Sequence, residues 1–132
     1  MTSYLTEELQ AAGNAVLAQL AGHSEAVLRD ALAVEMQHRG FVVQTEVVWE
    51  VAYTPASGPS TAAPVAVGHV RVDLVVKSSA VPGVAAIVEV KKTAGGNHAA
   101  QLGKYSTLAP PGTGIALFNL DGITWHTPLE HV

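Results

Sequence analysis

The sequence contains no cysteine, which excludes a disulfide framework, a zinc–thiolate site and a thiol nucleophile. Charge is sparse as well: 14 % of its 132 residues are charged against 48 % apolar, so a packed core is expected rather than disorder. No apolar run approaches the ~20 residues of a membrane span. The opening residues, Met1 to Glu8, lack the basic and apolar regions of a secretory signal. A soluble, cytoplasmic protein with one domain, residues 1–132, is therefore the expectation. None of the six histidines stands at zinc-ligand spacing, and only His69 shares the face of the chemically interesting strand. Gly95-Gly96 lacks the surroundings of a phosphate-binding loop, and Ser24 and Ser106 lack histidine and acid partners at motif spacing. There are no internal repeats.

What charge there is falls unevenly. The net charge of −4 argues against a nonspecific coat for nucleic acid. Residues 1–50 carry two basic and seven acidic side chains, whereas 68–108 carry five basic and two acidic ones. Positive charge is thus gathered around Arg71, Lys77, Lys91, Lys92 and Lys104, where a phosphate would be met. Chance asymmetry in a short chain is the alternative.

The hydrophobic period outlines the elements. Leu9, Ala12, Val16, Leu17 and Leu20 recur at helical spacing over Thr6 to Leu20, with Thr6 as candidate cap. Ser24 is placed to cap a second helix from Glu25 to His38, stopped at Arg39-Gly40. Phe41 to Tyr53 reads as a strand with one wetter face, and the proline- and serine-rich stretch 54–64 as a mobile surface loop. Strands are expected from His69 to Lys77 and from Val84 to Lys91. A helix follows from His98 to Leu108, with Asn97 as candidate cap. A hairpin is expected around Asp121-Gly122, with strands Ile115 to Leu120 and Ile123 to Thr127.

Asp73 lies within the apolar run Val70 to Val76, and Glu89 and Lys91 within Val84 to Lys91. Burying a carboxylate there is costly unless it is paired, hydrogen-bonded or bound to metal. Alternation puts Glu89 and Lys91 on one face, and suitable register would bring Asp73 to them. Two acids sharing a site call for a cation, and a partly open set of oxygen donors suits Mg²⁺ or Mn²⁺. On the later helix, Gln101 and Tyr105 share a face at i, i+4.

Together Gly22-x-x-Glu25, Gly68-x-x-Arg71-x-Asp73, Glu89-x-Lys91 and the Gln101 helix resemble the PD-(D/E)xK nuclease superfamily, and within it the small proteins of the GxxExxY family. The likeness runs from about Gly22 to Leu120. It implies an α/β fold of restriction-endonuclease type: an α-β-β-β-α-β core with a mixed central sheet flanked by helices, here followed by an added C-terminal hairpin strand. It further implies a metal-dependent nuclease, with DNA expected over RNA. Asp73, Glu89 and the Val90 carbonyl would ligate Mg²⁺ or Mn²⁺, with Glu25 joining directly or through water. Lys91 would act on the attacking water, Gln101 would bond near the metal or the backbone of the nucleic acid, and Tyr105 would support it. Arg71, Lys92, Lys104 and Tyr105 would meet substrate, and a homodimer would suit a two-stranded one. Leu28 stands where the family name has tyrosine, and Val72 where the superfamily signature has proline.

Blander readings stand beside these. Asp73 could be a structural acid paired with Arg71 or Lys91, and Glu25 a first-turn acid favouring the helix dipole. Gln101 and Tyr105 could be an ordinary amphipathic pair. The whole chain could be a catalytically inactive module that binds nucleic acid or a protein partner.

Overall fold

The computed structural model describes residues 4–58, 62–83, 85–96 and 98–129. Two helices, α1 (Tyr4–Leu20) and α2 (Glu25–His38), precede three strands, β1 (Phe41–Tyr53), β2 (Val65–Ser78) and β3 (Ala85–Val90). Helix α3 (Ala99–Leu108) and strands β4 (Gly114–Asn119) and β5 (Gly122–Thr127) complete the order. The strands form one mixed sheet in the order β1-β2-β3-β4-β5, with helices on both faces, as the family resemblance implied. Among the described residues only β3 and β4 run parallel, and α3 supplies the crossover that parallel pairing requires.

Local chemistry explains the boundaries. The Ser24 hydroxyl accepts the Val27 N–H at 3.2 Å, capping α2 where the sequence placed it. Gly40, at φ +94°, takes the left-handed turn that ends this helix and starts β1. Thr6 does not cap α1: the helix reaches back to Tyr4 and buries Leu5 along with Leu9, Ala12 and Val16. Gly13 lets α1 approach closely, because an added Cβ would stand 3.0 Å from Ile123 Cγ1. The candidate cap Asn97 and the start of the β3 run at Val84 lie outside the described residues. Lys91, expected within β3, lies one residue past it, though its N–H still bonds the Phe118 carbonyl at 2.9 Å.

Strands β3 and β4 are almost wholly buried, consistent with their continuous apolar runs. One cluster, beneath α1 and α2, includes Leu74, Val76, Val88, Val90 and Phe118. The other, beneath α3, includes Val72, Val75, Ile87, Leu102 and Leu117. Strands β1 and β2 serve both. Phe41 and Val43 join the first cluster, yet Val47 and Trp49 join the second; Leu74 and Val76 join the first, yet Val70 and Val72 the second. Simple alternation would keep each set on one side. The exchange occurs between the pairs Thr45–Leu74 and Val47–Val72, which bracket Glu46 and Asp73. Glu46 has φ +52°, the one non-glycine positive value among the described residues, and such backbone is strained.

Candidate active site

The β2–β3 ladder ends at Leu74–Val88, so Asp73 and Glu89 are the first residues beyond its last pair. In place of a ladder bond, the Asp73 carboxylate accepts the Val90 N–H at 2.8 Å. The side chain thereby ties the diverging β2 to the end of β3. Glu89 is 5 % exposed, on the α3 side of the sheet. Its Oε2 accepts the Tyr105 hydroxyl at 2.7 Å, and its Oε1 accepts the Gln101 amide at 3.1 Å. Lys91 Nζ stands 3.4 Å from Oε1. Burial pushes the Glu89 carboxyl above the usual carboxylate range, and the charge of Asp73 adds to this; Tyr105 and Lys91 oppose it. Burial likewise raises the Tyr105 phenol, with the hydrogen bond to Glu89 next in importance.

The structure therefore gathers Asp73, Glu89, Lys91, Gln101 and Tyr105. Tyr105 is 2 % exposed and also lies 3.3 Å from the Arg71 carbonyl oxygen. Its contact is with the carboxylate, and burial removes it from the substrate-facing position expected from sequence. Glu25 is exposed and accepts the Lys92 N–H at 3.3 Å, at the end of β3. No group of three acidic or histidine side chains able to cage a metal forms among the described residues. Arg71, Lys92 and Lys104 are exposed, as is His69. A cavity of about 460 Å³ lies elsewhere, lined by Val47, Trp49, Val75, Ile87 and Leu108 among others.

Two residues in this neighbourhood were not singled out from sequence. Arg29 NH1 bonds Glu46 Oε1 at 2.8 Å, and Arg71 NH1 lies 3.8 Å from the same oxygen. The available signals were the Glu25–Arg29 spacing, one helical turn, and the polar run Gln44-Thr45-Glu46 in β1.

Two carboxylates from adjacent strands, one held uneasily as an anion, with an ammonium at hand, are equipped to hold a hard cation and to act on a phosphate. Mg²⁺ is commonly held by one or two carboxylates plus substrate oxygens rather than by a full protein cage, so this donor set fits it. The sequence model of the PD-(D/E)XK nuclease superfamily matches residues 3–124. No curated protein and no solved structure matches the chain. Among the described residues, no helix is long and apolar enough to cross a membrane.

Proposed function

This chain belongs to the PD-(D/E)XK nuclease superfamily, and on that premise we propose that it is a metal-dependent nuclease hydrolysing phosphodiester bonds, with DNA rather than RNA as substrate. The observation that carries the proposal is the buried Glu89 carboxylate, next to Asp73 just beyond the end of the β2–β3 ladder and disfavoured as an anion. Such a pair is well suited to a divalent cation, Mg²⁺ or Mn²⁺. Asp73 and Glu89 would hold it, with the Val90 carbonyl and, through water, Glu25 as further donors. When bound, the cation supplies charge stabilisation for the phosphoryl oxygens and a lowered pKa for water.

The protein groups do the rest. Lys91 orients or deprotonates the attacking water and offsets charge developing on the phosphate. Tyr105 and Gln101 fix the Glu89 carboxylate in one orientation by holding both of its oxygens. Arg71, Lys92 and Lys104 are exposed and available to the nucleic-acid backbone. The nearer likeness to the GxxExxY proteins, a cytoplasmic setting and a homodimer for two-stranded substrates belong to this reading.

A second reading, a nuclease-fold module that binds nucleic acid or a protein partner without turnover, is favoured by the net charge of −4. Single-stranded, duplex and branched DNA and RNA, each incubated in Mg²⁺, Mn²⁺ or EDTA, separate the two. The nuclease reading expects metal-dependent cleavage that Asp73→Ala, Glu89→Ala and Lys91→Ala each abolish and Lys92→Ala reduces only mildly. Wild-type cleavage by Lys91→Ala would overturn this mechanism. Absence of both cleavage and Mn²⁺ binding would favour the inactive module.

A further inference from the structure

We propose that Arg29 contacts a phosphate of the substrate at this site, an inference that rests on the nuclease reading above. Arg29 lies on α2 one turn beyond Glu25, whose carboxylate meets the backbone of Lys92 at the end of β3. Its side chain is only partly exposed, at 18 %, and its guanidinium is oriented by two carboxylates: Nε bonds Asp30 at 2.9 Å and Nη1 bonds Glu46 at 2.8 Å. NH2, the remaining terminal nitrogen, has no hydrogen-bond partner among the described residues. A planar guanidinium held by two carboxylates and with donors left over is preorganised for a phosphate oxygen.

Its position matches that use. Glu46 and Asp73 both lie between the pairs Thr45–Leu74 and Val47–Val72, where β1 and β2 exchange faces, so the residue gripping Arg29 lies in the same interval of the ladder as a proposed metal ligand. The same Glu46 oxygen lies 3.8 Å from Arg71, bringing a second guanidinium to the same place. Asp73 is close enough to act electrostatically on Arg29, as Asp30 and Glu46 do more strongly. A bare helix-to-strand tie would explain the Glu46 contact alone. The unspent donor, the second arginine and the adjacency to Asp73 are what a phosphate contact requires.

The test uses the full chain carrying Lys91→Ala, loaded with Mn²⁺, so that a fluorescein-labelled oligonucleotide binds without being cut. Anisotropy titrations across a salt series compare this parent with the same protein carrying Arg29→Gln or Arg29→Lys. Losing one phosphate contact should weaken binding roughly tenfold. It should also make the log–log salt dependence shallower by about 0.7 for a single strand or 0.9 for a duplex. Arg29→Lys, which keeps the charge and a partner for Glu46, should retain the parent's slope and lose less affinity. Mn²⁺ binding, measured by calorimetry, should be unchanged in both. A purely structural arginine would leave the slope alone; an Arg29→Gln slope equal to the parent's overturns the proposal. A wild-type protein that cleaves no nucleic acid, with a parent that binds none, overturns the nuclease reading itself and this inference with it.

Discussion

Two groups of charges in this molecule are built to opposite ends. Where α1 meets the end of α2, Arg39 bonds Glu8 at 2.6 Å and Glu35 at 2.8 Å. The hydrogen bond from Arg39 holds the Glu8 carboxyl below its usual range, and the bonds from Glu8 and Glu35 raise the Arg39 guanidinium. Each group is favoured in the charged form it already has. At the end of β3 the reverse holds for Glu89, whose burial and whose neighbour Asp73 disfavour its charge despite Lys91, Gln101 and Tyr105. The first cluster is complete as it stands, whereas on the proposed reading a cation would balance the second. A carboxylate kept against its own preference is a cost a fold tolerates where chemistry needs it.

The sharpest way to break this contrast is Tyr105→Phe. It removes the hydroxyl on Glu89 Oε2 and leaves that buried acceptor without its donor, which should cost about 1–3 kcal/mol in urea unfolding of the metal-free protein. An unchanged unfolding midpoint would mean that Tyr105 does not hold the carboxylate. Glu89→Gln should act in the other direction. Because the folded-state pKa of Glu89 is raised, its contribution to stability is full below the unfolded value of about 4.3 and is lost as pH rises through the folded value. Replacing it by a neutral amide should raise the melting temperature in EDTA at pH 7, with the gain shrinking as pH falls through the folded value and gone below about pH 4. A melting temperature at pH 7 that falls instead would contradict the account of Glu89. The smallest effect is expected from Glu8→Gln. Glu8 has a lowered pKa, so its contribution is present above the unfolded value and lost as pH falls. The variant should lose under about 1 kcal/mol at pH 7 and nothing at pH 2, as read by melting at both pH values.

What sequence could reveal here depended on how local the cause was. Ser24 and Arg39-Gly40 bound α2 through bonds and torsions within a few residues, and α2 was legible to its ends. Asp73 and Glu89 stood out because charge in an apolar strand is conspicuous whatever surrounds it. The start of α1 was missed because burial of Leu5 outweighed the capping tendency of Thr6. Arg29 and Glu46 were illegible for a different reason: 17 positions separate them, and only the packing of α2 on β1 brings them together. The exchange of faces at Glu46 and Asp73 also escaped, because period-two reading assumes that alternation continues unbroken.

That exchange carries a consequence for folding. Since β1 and β2 each pass from one cluster to the other along their length, the two helical layers share these strands, and Asp73 lies on the seam between them. Loosening one side, for example at Leu32 of α2 or Leu102 of α3, strains the same two strands. The halves should therefore unfold as one cooperative unit. The carboxylate at the seam is held by the packing of the whole sheet, so its position responds to core changes far from any charge.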